Sequence, residues 1–248
     1  MKVIAFYNLK GGVGKTASAV NLSYLAAAAG YKVLLWDLDP QGSSSFYFQT
    51  NGLTVKNAAK KLLQQDIVLT DVIQPTAFVN IDVVPADMSA RQADIILDTT
   101  KQSKKRVKQL LQQVTNYDIV ILDAPPGISL LHDNIFTAAD WVLMPNIPTT
   151  LSIRSYEMVI SYFEEQGYDT NRIKCFFSMV DHRKNLHHEV MQQFYKQKIF
   201  FKSYIPYLSD IEKMGVHQQA LFEYANTSYA AQCYRDLWNE IEKHCIKA

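Results

Sequence analysis

Tyr7-Asn8-Leu9-Lys10-Gly11-Gly12-Val13-Gly14-Lys15-Thr16 lies between an apolar, β-rich run, Val3-Ile4-Ala5-Phe6, and an apolar-periodic segment from Ala17 to Ala29. Strand, glycine loop and helix, in that order, are the context in which a glycine-rich string becomes a phosphate cradle. Gly11, Gly12 and Gly14 carry no Cβ to obstruct backbone amides that turn inward. Lys15 is placed to reach β- and γ-phosphate oxygens, and Thr16 to set its hydroxyl on Mg²⁺. A plain strand-to-helix turn could be glycine-rich as well, but would have no need of Gly-Lys-Thr at the helix start.

The chain has 248 residues, enough for one well-buried α/β domain and too few for two comfortable ones. Apolar residues make up 48% and charged residues 20%, an ordinary globular balance. No apolar run approaches the length of about 18 residues that a membrane-spanning helix needs. Met1-Lys2 leads straight into the first strand and leaves no room for a signal peptide. Cys175, Cys233 and Cys245 are odd in number and widely spaced, which argues against a disulfide framework and against a zinc site, and fits a reduced cytoplasmic setting. A net charge of +1 exerts no global pull on nucleic acid, so such binding would need a local patch.

Along the chain, Tyr31–Trp36 reads as a buried parallel strand, apolar on both faces, running into Asp37-Leu38-Asp39-Pro40-Gln41-Gly42. A Ser-rich turn follows, then helical patterns at Val55–Leu63 and Ile67–Ile73, and a short strand at 81–85. Ser89–Leu97 and Lys104–Val114 read as helices, Tyr117–Leu122 as a strand ending at Asp123-Ala124-Pro125-Pro126-Gly127, and 141–145 as another strand. Helices at 150–166, 186–197 and 228–245 and strands at 173–180 and 200–205 complete the pattern. Strands alternating with helices predict an α/β fold: a doubly wound, mostly parallel sheet with helices on both faces. There is no internal repeat or low-complexity linker, so residues 1–248 are expected to form a single domain.

Open parallel sheets bind ligands at the carboxyl ends of their strands. Asp37, Asp39 and Asp123 each follow an apolar strand directly, so one crevice can hold all three beside the phosphate loop. Any one of them alone could equally cap a neighbouring helix.

The loop departs from the general pattern G-x-x-x-x-G-K-[ST], because Leu9 stands where glycine is expected and a second lysine, Lys10, follows it. K-G-G-x-G-K-T is the deviant Walker A motif, and on it the sequence resembles the ParA/MinD family of ATPases, closest to small Soj-like ParA partition proteins. The resemblance implies ATP and Mg²⁺ as cofactors, with Lys10, Gly11, Gly12, Val13, Gly14, Lys15, Thr16 and Ala17 around the nucleotide. By the same resemblance Asp123 in I-L-D-A-P-P-G is the Walker B aspartate, and the Gly127 amide senses the γ-phosphate. Asp37 supports the Mg²⁺ shell with Thr16 and Asp123, and Asp39 positions the attacking water. Lys10 reaches across an ATP-sandwich homodimer to the partner's phosphates, much as an arginine finger does. Met179 and Pro206 match positions that contact adenine in the family, and both could equally be core or turn residues.

The family's partition members bind DNA non-specifically as ATP-bound dimers, through phosphate contacts. Residues 172–202 carry Arg172, Lys174, Arg183, Lys184, Lys196, Lys198 and Lys202 against Asp181 and Glu189, and Arg183 matches a DNA-contacting arginine of the family. Asp210 stands where relatives often have a further arginine, with Lys213 near enough to substitute. Lys101, Lys104, Lys105, Arg106 and Lys108 form a second cluster, read as a solvated helix face or another patch. In the final helix Tyr234, Leu237, Trp238, Ile241 and Cys245 share a stripe whose flanks are balanced in charge, which suits packing better than anionic lipid.

The reading that results is a slow ATPase that positions a plasmid, a chromosome locus or a protein cargo. It would be nucleoid-associated in its ATP state and released when a ParB-like or other adaptor stimulates hydrolysis. No N-terminal operator-binding domain is expected. The alternatives are a MinD-type membrane-associated ATPase and an ATP-dependent ligase or amidotransferase of the same fold. A nitrogenase-like electron-transfer role would need cluster cysteines at a dimer face, which the three cysteines do not supply.

Overall fold

Strands that are apolar on both faces demand cover on both faces, and the computed structural model of the chain shows that cover. It describes residues 1–50, 55–100 and 103–247, so Lys101 of the second basic cluster lies outside the described residues. The strands are β1 (Lys2–Phe6), β2 (Val33–Asp37), β3 (Gln74–Pro75), β4 (Ile81–Val84), β5 (Ile119–Asp123), β6 (Trp141–Asn146), β7 (Ile173–Val180) and β8 (Phe200–Pro206). The helices are α1 (Lys15–Ala28), α2 (Ser43–Tyr47), α3 (Ala58–Gln64), α4 (Ala93–Asp98), α5 (Arg106–Leu111), α6 (Leu130–Ala138), α7 (Thr150–Gln166), α8 (Asn185–Phe194), α9 (Ser209–Glu212), α10 (Met214–His217) and α11 (Tyr229–Ile241).

Among the described residues the strands form one sheet in the order β3-β4-β2-β5-β1-β6-β7-β8. Every pairing is parallel except the short antiparallel β3. The period of two along each strand divides the core. Val3, Ala5, Leu34 and Trp36 face the layer built by α3 to α8, while Ile4, Phe6, Val33 and Leu35 face α1 and α11. From β1 the chain goes through α1 to β2 on one side, and from β5 through α6 to β6 on the other. The reversal leaves a crevice at the carboxyl ends of β1, β2 and β5.

The helical stretches differ from expectation mainly where polar residues interrupt the pattern. Residues 67–73 form only a 3₁₀ turn at Leu69–Asp71, and the two helices expected at 89–97 and 104–114 shrink to α4 and α5, each preceded by a 3₁₀ turn. α6 was not expected, because His132, Asp133 and Asn134 break its apolar run. All three are buried and hydrogen-bonded within the fold. α9 and α10 were not expected either.

The stripe on α11 is occupied by packing. Leu237, Tyr234 and Ile241 are at most 1% exposed in the core against α1 and β8. Glu240 turns back to accept hydrogen bonds from the backbone amides of Lys202 (3.0 Å) and Ser203 (2.6 Å), covering part of the edge of β8. No helix among the described residues is long and apolar enough to cross a membrane. Leu237→Ala should therefore lower folding stability by about 2–5 kcal/mol, the usual cost of a cavity in a packed core. Equilibrium urea unfolding would check this, and a loss under about 1 kcal/mol would show α11 to be peripheral.

Candidate functional site

β1 ends at Phe6, and the register sets Phe6 beside Asp123 in β5 and Asp123 beside Asp37 in β2. The strand order thus brings Asp123 beside residues that lie far from it in the sequence. Between β1 and α1 the loop turns at Gly12 (φ 69°) and Gly14 (φ 88°), in the left-handed region that glycine enters without strain. Gly14 is the N-cap of α1, so the helix's first free amides open onto the loop. Lys15 is 7% exposed and donates from Nζ to the Lys10 carbonyl at 3.0 Å. Burial lowers the pKa of its ammonium, and Asp123 and Asp39 pull the other way. The side chain is folded back on its own loop, where an arriving phosphate oxygen would replace the carbonyl as acceptor.

The carboxylates are held differently. Asp123 accepts at Oδ2 from the Ser44 hydroxyl at 2.6 Å, while its buried Oδ1 has no hydrogen-bond partner. Burial, and then the neighbouring Asp37 charge, push it up to about 7, although Ser44, Thr16 and Lys15 favour its charged form. Asp37 accepts at Oδ2 from the Ser45 amide (2.8 Å) and hydroxyl (2.7 Å), and at Oδ1 from the Asp39 amide (3.3 Å). Burial raises it to about 6. Asp39 is only partly buried and accepts from the Gln41 amide at 2.9 Å.

A buried carboxylate oxygen without a donor, beside a threonine hydroxyl and a second raised carboxylate, is the donor chemistry that suits a hard cation such as Mg²⁺. The residues present therefore fit the metal: Thr16 and Asp123 would hold it, with Asp37 behind them. Because both acids are raised in the folded chain, their neutral forms stabilise it, and that contribution fades as pH rises through about 6 to 7. A cation must displace those protons. The rise in melting temperature on adding Mg²⁺ and ATP should accordingly be larger at pH 8 than at pH 6, and a gain independent of pH would remove the pair from the metal site.

Three hydrogen bonds strap the loop after β5 to the phosphate loop and to α6. The Tyr7 hydroxyl donates to the Gly127 carbonyl (2.9 Å), the Gly127 amide donates to the Leu9 carbonyl (3.2 Å), and His132 Nε2 meets the Pro125 carbonyl (3.0 Å). The Gly127 amide expected to face the γ-phosphate is thus engaged by Leu9 and must be released before it can do so. On the other side the Ser178 hydroxyl on β7 donates to the Val13 carbonyl at 2.7 Å and fixes the crest of the loop.

Next to that crest is a cleft of about 190 Å³. Gly12, Gly14, Ala17 and Ser18 of the loop and α1 line it together with Ser178, Met179, Ile205, Pro206, Tyr207, Leu208, Ile211, Glu212 and Tyr234. Met179 and Pro206 are therefore together at its wall. Met179 sits at φ 52°, a conformation that is rare for a residue with a Cβ and places it at the turn out of β7.

Ser44, Ser45, Ser178 and Tyr7 are site residues that motif reading missed. Their signal was slight: a serine pair after D-L-D-P-Q-G, and small or polar residues at the ends of buried strands.

The basic residues do not form one surface. Arg183 and Lys184 follow the carboxyl end of β7, and Lys213 follows that of β8. Lys196 and Lys198 precede β8, and Lys202 is near its start, with Lys174 beside them at the start of β7. An eight-residue strand puts about 25 Å between these edges. At the first edge Arg183 is in a bidentate pair with Asp181 (2.9 and 3.0 Å), and Lys213 faces Asp210 at 3.8 Å. At the second edge Lys196 and Lys198 are exposed, and Lys202 bonds the Tyr195 carbonyl and lies over its ring. In the other cluster Lys104 pairs with Asp133, and Arg106 is buried rather than part of a solvated face.

Comparison with known proteins places this geometry among relatives. The model of the AAA_31 family, described as an AAA domain, matches residues 1–173. The sporulation initiation inhibitor protein Soj of Bacillus subtilis is 31% identical, over 97% of this chain and 98% of its own. The chromosome-partitioning ATPase Soj of Treponema pallidum is 30% identical, over 97% and 96%. A solved plasmid partition protein of Borrelia burgdorferi, bound to AMPPNP, superposes with a TM-score of 0.86 over 98% of both chains at 19% identity, a likeness of fold. By the matched model and by these relatives, the chain belongs to the AAA_31 family, among the ParA- and Soj-like partition and positioning ATPases.

Proposed function

We propose that the chain is an ATP-switched positioning ATPase: it closes into an ATP-sandwich dimer, holds DNA non-specifically in that state, and lets go on hydrolysis. The observation that carries this reading is Lys10. It stands on the phosphate loop beside a second lysine, and its ammonium makes no ion pair or hydrogen bond among the described residues. A cation that is not spent inside its own subunit is available for a partner's phosphates.

The surface around it supports pairing of two copies. Ile128, Leu151 and Leu186 are 38%, 65% and 47% exposed, and each follows the carboxyl end of a strand, on the edge that carries the loop. Apolar side chains clustered at one exposed edge mark an interaction surface.

Within this reading Lys15, leaving the Lys10 carbonyl, and the amides of Gly11 to Thr16 would bind the phosphates. Bound Mg²⁺, held by Thr16 and Asp123, would supply charge neutralisation at the β- and γ-phosphates. Asp39, the one acid of the three with solvent access, would orient the attacking water. The Gly127 amide, released from Leu9, would report that the γ-phosphate is present and pass the state to α6 through the Tyr7 and His132 bonds. The cargo and the adaptor that stimulates hydrolysis belong to the same proposal. Burial of the α11 stripe disfavours the membrane alternative.

For DNA the electrostatics favour the edge with Lys174, Lys196, Lys198 and Lys202, because Arg183, Lys184 and Lys213 are offset by Asp181 and Asp210. The test is binding to random-sequence duplex with ATP and Mg²⁺, and then with ADP, across a salt series. ATP-dependent binding that weakens steeply with salt is expected. The double variant Lys196→Glu with Lys198→Glu should weaken it about tenfold or more, and Arg183→Glu should weaken it less. Binding that ignores the nucleotide would contradict the switch, and a larger loss with Arg183→Glu would move the DNA to the other edge.

A further inference from the structure

The hydrogen bonds between β1 and β6 run out at the one from the Tyr7 amide to the Leu143 carbonyl (3.0 Å). One residue later a side chain takes over. Asn8 is fully buried, and its Nδ2 donates to the Pro145 carbonyl (2.8 Å) and to Asn146 Oδ1 (3.2 Å). Asn146, also fully buried, donates in turn from Nδ2 to the Met144 carbonyl at 2.9 Å. Asn8 Oδ1 accepts from the Lys10 amide at 3.0 Å. An amide side chain has one accepting and one donating end, so these partners fix which way Asn8 points. Turned over, it would set N–H against N–H and oxygen against oxygen.

Among the described residues three hydrogen bonds hold the backbone of Leu9 and Lys10: the Gly127 amide on the Leu9 carbonyl, Lys15 Nζ on the Lys10 carbonyl, and Asn8 on the Lys10 amide. By the reading above, an arriving triphosphate draws Lys15 and the Gly127 amide away. The bond from Asn8 is the one that stays, and it ties Lys10 to the end of β6. Beyond β6 the chain turns at the bond from the Thr149 amide to the Ile147 carbonyl (2.7 Å) and presents Leu151, 65% exposed, on the edge that carries the loop. A lysine ammonium rides on a flexible stem. Rooting that stem against the edge that would meet a second copy narrows where the charge can go. The narrowing matters, because a misplacement of about 1 Å can cost a hundredfold in rate.

We propose that Asn8, braced by Asn146, is a positioning residue for Lys10: it holds the Lys10 backbone against the end of β6 so that the ammonium reaches the ATP of a second copy, a role that rests on the reading of Lys10 given above. Mixed dimers test it. Asn8→Ala should bind ATP within about threefold of the unmodified chain and hydrolyse it about tenfold or more slowly. Mixed in equal amounts with Asp39→Ala, it should regain up to about a quarter of the unmodified rate, because half of randomly assorted dimers are mixed and one of their two sites joins an intact Asp39 to a well-placed Lys10 from the other subunit. An asparagine that only braced its own phosphate loop would leave that site dead in every dimer. Asn146→Val keeps the bond to Lys10 and removes one brace. It should slow hydrolysis about threefold or more, be rescued in the same mixture, and serve if Asn8→Ala does not fold. Lys10→Ala mixed with Asp39→Ala is the control. Recovery in the control without recovery of the asparagine variant, or an unmoved rate in whichever variant folds, would overturn the role of Asn8 alone. No recovery in either mixture would overturn it together with the reading of Lys10 across the dimer.

Discussion

Lys15→Ala should weaken ATP binding by about a hundredfold or more and abolish hydrolysis. Lys15 is almost fully enclosed, its charge is disfavoured by that burial, and its Nζ has only a loop carbonyl to bond in the nucleotide-free chain. Hydrogen bonds from a desolvated ammonium to phosphate oxygens are charge-assisted, about 1.5–3 kcal/mol each. Losing two of them amounts to at least two decades in affinity. The fold should survive the change, because the Lys10 carbonyl left behind is on a partly exposed loop that water can reach. Isothermal titration with ATP and Mg²⁺ measures the loss, and circular dichroism controls for folding. Affinity within threefold of the unmodified chain would remove the loop from phosphate binding.

Lys10→Ala should separate what Lys15→Ala destroys together. Lys10 makes no bond to its own subunit through its ammonium, so ATP should still bind within a few fold. What disappears is the charge that would neutralise the partner's phosphates at the transition state, a contribution of about a thousandfold where an arginine finger supplies it. Hydrolysis stimulated by a second subunit should therefore fall to background while ATP affinity persists. Asp39→Ala should stop hydrolysis by another route, by leaving the water unoriented, and should leave dimers intact. If both variants hydrolysed ATP at the unmodified rate, the roles of Lys10 and Asp39 would both be wrong.

The features legible in the sequence were those set by local chemistry. The phosphate loop needs glycine at particular angles, and Gly12 and Gly14 have them. Asp37 and Asp123 end apolar strands, and parallel pairing then sets them side by side. What could not be read was long-range pairing. Nothing in Ser44 announces that it would hold Asp123, because that contact depends on β2 and β5 being neighbours. The basic segment looked continuous, yet β7 and α8 carry its members to opposite edges of the sheet. α6 stayed hidden because its polar residues are buried and bonded, Asp133 by the Tyr162 and Tyr168 hydroxyls and Asn134 by backbone, so the periodicity of an exposed helix is missing.

ATP should join two copies of the chain, and ADP should not. Light scattering coupled to size exclusion, on Asp39→Ala with ATP and Mg²⁺ and then with ADP and Mg²⁺, measures it directly. A doubled mass is expected with ATP, the single-chain mass with ADP, and the single-chain mass under both nucleotides once Lys10→Ala is added. A mass that stays the same in ATP and ADP, with ATP shown to be bound, would contradict it.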